Sequence, residues 1–210
     1  QDPVVGQAGM DDRFDYLLLC ASLIDGNGFD YIGNSNIAYS TTTWNDPNHS
    51  YRCWGNDGTS FNATINVSGN SMVGPTIAAA LQSTALSTGH LPVYLDMKVP
   101  AKISLPSSQT IDLGTLQYMS IPRKTISIAH AGDVAKWHAA GLQNLVFNAS
   151  AVPNLTIPTG PKSVVPGGSF AFTIKPQTNH LGTFSRTISM TTNDPDKPTV
   201  TLTIKWRVFR

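Results

Sequence analysis

The stretch Thr199-Val200-Thr201-Leu202-Thr203-Ile204-Lys205-Trp206-Arg207-Val208 alternates polar and apolar side chains without a break. Successive strand residues point to opposite faces, so Val200, Leu202, Ile204, Trp206 and Val208 share one side and the Thr, Lys and Arg residues the other. One face is therefore built for burial. Residues 183–191 repeat the pattern, with Ser or Thr at every odd position and Phe184, Ile188 and Met190 among the even ones. Between the two lies Thr192-Asn193-Asp194-Pro195-Asp196-Lys197-Pro198, dense in turn formers, which predicts a hairpin. Phe170, Phe172 and Ile174, after the turn Pro166-Gly167-Gly168, form a third inward row. Short alternating segments with turn signals about every ten residues run back to Ile103, the pattern of a β-sandwich over residues 101–210.

Ahead of Pro100 the texture changes, which predicts a separate first domain over residues 1–100. Residues 1–12 are polar with no period. Residues 14–21 are continuously apolar and of strand length, the pattern of a strand buried on both faces, with Arg13 and Asp15 sharing one side where it enters the core. Asp25-Gly26-Asn27-Gly28 reads as a turn. Asp25, Asn27 and Asp30 also have the oxygen ligands and glycine spacing of a calcium loop, without the bidentate Glu that closes an EF-hand. Residues 29–43 read as one or two irregular strands, residues 44–59 as loop, and Phe61, Ile65 and Val67 as a short strand. Trp44, Tyr51 and Trp54 in the loop could stack on a base or sugar; covering the edge of a small core is the stronger reading of such rings. Pro75 fits the first turn of a helix running to about Ser87, with Ile77, Leu81 and Ala85 on one face. His90 then stands at the mouth of another apolar strand over residues 91–99.

Charged residues make up 13% of the chain and the formal net charge is +1. That total gives no electrostatic footprint for nucleic acid or acidic membranes, and no apolar run approaches the roughly 18 residues of a spanning helix. Polarity comes from Ser, Thr and Asn, which suits a β-rich secreted or surface protein. Beginning at Gln1 with no signal-like segment, the sequence reads as a mature, trimmed or excised product. Cys20 and Cys53 allow one disulfide, balanced against two buried thiols. Sequons at Asn48, Asn62, Asn66, Asn148 and Asn154 hint at secretion. His49, His138 and His180 have no Cys or His at zinc-ligand spacing, and phosphate-loop and serine-elbow motifs are absent.

The segment Arg13-Phe14-Asp15-Tyr16-Leu17-Leu18-Leu19, then Gly55-Asn56-Asp57-Gly58, then Ser87-Thr88-Gly89-His90-Leu91-Pro92-Val93 resembles, in order and spacing, the C-terminal half of the endonuclease/exonuclease/phosphatase family. The likeness covers roughly residues 9–100. It implies metal-dependent phosphoester cleavage with His90 acting on the phosphate or water, Asp15 orienting it, Arg13 supporting both, and Trp54, Asn56 and Asp57 on the substrate rim. Two departures matter. Thr88 and Gly89 stand where the family has Ser and Asp, and the 13 acidic residues are all Asp, so the family's metal-binding Glu is absent. Magnesium or calcium would be the cofactor of an intact member; this chain is expected to hold none.

Gly182-Thr183-Phe184 through the Thr-Asn-Asp-Pro loop to Ile204, with Ile111-Asp112-Leu113-Gly114 and Ile126 to Gly132 before it, resembles the immunoglobulin-like domains of the Hydin and choice-of-anchor-D type, which are adhesive or architectural. The fold class expected is therefore mainly β: a truncated α/β half-sandwich with one clear helix, then an immunoglobulin-like β-sandwich. A lone half-domain would expose an apolar sheet face, which an associated N-terminal half or other copies of the chain must cover. The function expected is non-catalytic, secreted and structural, by self-assembly into a fibre or surface layer or by anchoring, with Arg13, Asp15 and His90 a buried vestigial cluster. The alternative is the C-terminal portion of a secreted metal-dependent phosphodiesterase or nuclease.

Overall fold

The computed structural model describes residues 15–40, 42–60, 63–88 and 90–210; Arg13 and Asn62 lie outside them. The chain is mainly β. In order its strands are Asp30–Tyr31 (β1), Arg52–Cys53 (β2), Val93–Tyr94 (β3), Met97–Lys98 (β4), Ser108–Gln117 (β5), Lys124–Ala129 (β6), Leu145–Ala149 (β7), Leu155–Thr156 (β8), Gly160–Val164 (β9), Ser169–Pro176 (β10), Gly182–Thr192 (β11) and Thr199–Phe209 (β12). Helix α1 spans Gly74–Thr88 and the single turn α2 spans Val134–Trp137. Two compact units result, one taking residues up to Asp25 and Tyr31–Met97, the other Gly26–Asp30 and Lys98–Arg210.

The second unit is an immunoglobulin-like β-sandwich. One sheet has the order β5-β12-β11-β7-β9 and the other β6-β10-β8. β11 and β12 pair antiparallel from Gly182 opposite Val208 to Thr191 opposite Thr199, and the five alternate apolar residues of β12 are all buried. Each is worth about 1.5–3 kcal/mol relative to exposure, so this one strand makes a large share of the hydrophobic stabilisation. The Trp206 ring stacks on Phe184 at 5.1 Å between centroids, and its Nε1–H donates to the Gln177 carbonyl at 3.2 Å. Phe172 and Ile174 of β10 close the core from the other sheet.

β5 runs parallel to β12, from Ser108 opposite Thr201 to Gln117 opposite Phe209. Alternation fixes which residues face inward but carries nothing about the direction of a partner strand. The register shifts between Lys205 and Arg207; Gly114, at φ +69°, donates to Asp112 Oδ1 at 2.8 Å within that shift, a left-handed position that suits glycine.

The hairpin loop between β11 and β12 is held by its own side chains. Asp194 is buried, and its carboxylate accepts from Ile103 N–H and Asp196 N–H, both at 3.0 Å. Lys102 bridges it to Asp196. The Asp196 hydrogen bond, opposed by partial burial and helped by the Asp194 charge, holds the Lys102 amine above its usual range. Asn193 accepts from Val146 N–H at 2.8 Å and donates to Asn144 O at 2.9 Å. His130 is also buried: Gly132 N–H donates to its Nδ1 at 3.0 Å, so Nε2 carries the proton that reaches Gln143 O at 2.8 Å.

The first unit is built differently. Its core is small, with Cys53, Ile65, Ala78, Leu81 and Leu91 buried and Val67, Val73 and Val93 against them. α1 appears where Pro75 predicts it, but it buries Ala78 and Leu81 while Ile77 is exposed. Residues 15–20 form no strand, and Tyr16 and Leu18 are 68% and 94% exposed. The expectation of a strand buried on both faces is therefore corrected. Such a strand needs neighbours on both edges, and among the described residues none pairs with it. Among the described residues of 29–43 only β1 is a strand, and residues 63–67 are coil although Ile65 is buried.

Candidate functional site

Leu91, buried in the small core, and Pro92, whose carbonyl accepts from Trp54 N–H at 2.7 Å, fix the chain just after α1. His90 is thereby held at the surface. Its Nδ1 lies 2.9 Å from Asp15 Oδ2 across 75 residues of sequence, and the Asp15 carbonyl accepts from the Tyr51 hydroxyl. The pair stands at a cleft of about 350 Å³ whose floor is Leu81, Leu91, Pro92 and Val93. The His90 side chain is 51% exposed and that of Asp15 36%. These two are no buried salt-linked cluster, which corrects that expectation. The Asp15 carboxylate at Nδ1 holds the imidazole ring in a fixed orientation at the cleft.

The rim residues separate. Trp54 is partly exposed and, with Met72, Pro92 and Tyr94, lines a second depression of about 380 Å³ that shares Pro92 with the first. Asn56 accepts from Gly58 N–H at 3.0 Å, organising a turn. Asp57 is buried and is no rim residue: its carboxylate accepts from the Thr59 hydroxyl at 2.6 Å, Thr59 N–H at 3.1 Å and Ser71 N–H at 3.0 Å. A carboxylate satisfied by three donors serves the loop rather than a ligand.

Sequence reasoning missed the polar scaffold that Asp57 belongs to. Asn70 is buried, donates to Gly55 O at 2.7 Å and accepts from Met72 and Val73 N–H at 3.0 Å, setting up the entry to α1. Asp46, buried, accepts from Ser40 N–H at 2.7 Å and Asn48 N–H at 2.8 Å. The signal available was the density of Asn and Asp in residues 44–59, whose side chains bond nearby backbone.

The Asn48 and Ser40 amides hold the Asp46 carboxyl below the usual range. Burial pushes that of Asp57 up, but the Thr59 hydroxyl and the Ser71 and Thr59 amides outweigh it and the net shift is downward. A carboxyl depressed by folding stabilises the native state above the unfolded value of about 3.9 and loses that contribution as pH falls through the folded value. The first unit is therefore expected to loosen below about pH 4. Near-ultraviolet dichroism against pH checks this; Asp57→Asn should flatten the acid limb, and an unchanged limb would count against it.

Asp30 accepts from Gly26 N–H at 3.1 Å, closing the glycine turn. No cluster of three or more His, Cys, Asp or Glu at metal-binding spacing exists among the described residues. The cleft offers one carboxylate, Asp15, already engaged by His90, so the residues present do not by themselves fit a divalent ion. Cys20 and Cys53 are not bridged: Cys20 is exposed, Cys53 buried, which corrects the disulfide. Ser22 lowers the Cys20 thiol. Asn48 and Asn148 are exposed. The Asn154 amide instead meets Arg186 Nη2 at 2.7 Å and Gln177 Oε1 at 3.3 Å, and that of Asn66 meets Thr59 Oγ1 and Gly69 N–H at 3.1 and 3.0 Å. Among the described residues no helix is long and apolar enough to cross a membrane.

No protein-family model and no curated protein matches the chain. Among solved structures it is similar to a PapD-like domain of human CEP192, at 7% identity and a TM-score of 0.40 over 53% of this chain and 86% of that one. It is likewise similar to SSP-19, an MSP-domain protein of Caenorhabditis elegans, at 15% identity and a TM-score of 0.30 over 44% and 92%. A third likeness, at 11% identity and a TM-score of 0.35, is to the CupB6 tip adhesin of Pseudomonas aeruginosa, over 60% of this chain and 53% of the adhesin.

Proposed function

We propose that the first unit carries the acid–base side of a phosphoester-cleaving site and that the second is a non-catalytic module that attaches it, the whole acting outside the cell. The observation that supports the chemistry is the solvent-facing Asp15–His90 pair at 2.9 Å on the lip of a cleft. A pair kept only to join two segments has no need of exposure, since exposed ion pairs are worth about 0–1 kcal/mol. In this reading the His90 imidazole takes the proton of an attacking water or returns one to the leaving oxygen, and Asp15 holds the ring. Charge stabilisation at the phosphate comes from groups outside the described residues of this chain.

Hydrolysis of bis(p-nitrophenyl) phosphate with magnesium by this 210-residue chain tests the proposal. The chain should be active, and His90→Ala should lower kcat by roughly 10²–10⁴. Asp15→Asn should lower kcat, leave KM nearly unchanged and shift the pH profile, as expected of a positioning residue. An inactive chain, or activity indifferent to His90→Ala, would sink the proposal. The competing self-assembly reading draws on the exposed Tyr16, Leu17 and Leu18. Light scattering on the same inactive preparations would favour it by showing a large species of this chain alone.

A further inference from the structure

The near-zero total charge conceals two opposed halves. Residues 1–97 hold two Arg and nine Asp, a formal −7, whereas residues 98–210 hold twelve Lys and Arg against four Asp, a formal +8. Within the sandwich the charges are sorted again. Asp194 and Asp196 are tied to Lys102 where β12 begins, and Asp133 caps α2 by accepting from Lys136 N–H, beside the turn that opens β10. Asp112, the fourth, stands opposite Lys205. At the end where β12 finishes, Arg123, Lys124, Lys205 and Arg207 are exposed and Lys175 half-buried. None of these five forms an ion pair among the described residues.

The same end carries exposed large apolar side chains: Ile121 at 80%, Met119 at 66%, Leu181 at 51% and Phe209 at 48%. They sit on the β5–β6 and β10–β11 connections and the tip of β12, which are pinned together. Tyr118 N–H donates to Phe209 O at 2.8 Å and Met119 N–H to Thr178 O at 3.1 Å; the Thr178 hydroxyl donates to Ser120 O at 2.6 Å. Apolar tips held firmly at the same end as unpaired cations match the interface of an anionic bilayer, where aliphatic and aromatic side chains enter the headgroup layer and Lys and Arg meet the phosphates. A soluble polyanion would use the cations but leave Ile121 and Met119 in water at no gain.

We propose that this end of the sandwich docks peripherally on anionic lipid. The proposal is independent of the chemistry assigned to the first unit. Co-sedimentation of the intact chain with vesicles of phosphatidylcholine alone, or with about 30% phosphatidylglycerol, at about 0.1 M salt tests it. Binding should appear only with the anionic lipid and vanish at high salt. Each cation at such a surface contributes about fivefold, so Arg123→Ala/Lys124→Ala/Arg207→Ala should weaken it roughly a hundredfold. Met119→Ser/Ile121→Ser, with the charges intact, should weaken it as well. Equal binding to neutral vesicles would overturn the proposal, as would no binding to either. Binding lost in the charge variant but unchanged in Met119→Ser/Ile121→Ser would also overturn it, assigning the cations to a soluble polyanion. Unchanged dichroism shows that these surface variants fold.

Discussion

Trp206→Ala should lower the stability of the sandwich by about 3–5 kcal/mol, the largest effect expected of any single change in this chain. The indole is 1% exposed, stacks on Phe184 and satisfies the Gln177 carbonyl. Truncation removes the burial and the ring contact together, and it opens a cavity between two well-packed sheets that cannot collapse onto it. Urea unfolding followed by far-ultraviolet dichroism should show the midpoint fall with the slope unchanged. Thr203→Ala, on the outer face of the same strand, should stay within about 0.5 kcal/mol. A Trp206→Ala loss no larger than that of Thr203→Ala would mean the core is not organised around β12.

Asp194→Ala should come next, at about 2–3 kcal/mol. Its carboxylate is 1% exposed and answers two backbone amides, those of Ile103 and Asp196, as well as Lys102. Removing it strands the buried Ile103 N–H, and a donor left unmade costs more than the hydrogen bond was worth. The Lys102 contribution is small, since that amine is about one-third exposed. Lys102→Met should therefore cost well under half as much. Urea midpoints of the two single variants and the double variant, taken as a cycle, decide this, and equal losses from the single variants would show that the ion pair rather than the amide contacts holds the loop.

The two units differ in how far their sequences disclosed them, for physical reasons. In β11 and β12 one face is buried, so alternation and burial coincide, and the turn residues at 192–198 had only one place to go. The pairing partner of β5 was hidden because a parallel neighbour leaves no local trace. In the first unit the apolar run at residues 16–19 signalled a buried strand, yet burial depends on what lies alongside, and hydrophobicity alone does not supply that. The resemblance to a phosphoesterase half-domain implied Asp15 and His90 as a pair, and the structure places them at hydrogen-bond distance; their exposure was not legible. Asp57 was misassigned because an Asn-Asp-Gly loop reads alike whether its carboxylate faces solvent or turns inward to amides 2 and 14 residues on.

The parallel pairing of β5 with β12 has a mechanical consequence. β5 lies near the start of the sandwich and β12 near its end, so tension applied across the unit pulls these neighbours along their length in opposite senses. Their ladder, from Ser108 to Gln117 against Thr201 to Phe209, is then loaded in shear, with its evenly spaced hydrogen bonds sharing the force at once. An antiparallel hairpin gripped at its open end unzips one bond at a time. A domain closed in this way resists stretching out of proportion to its thermodynamic stability.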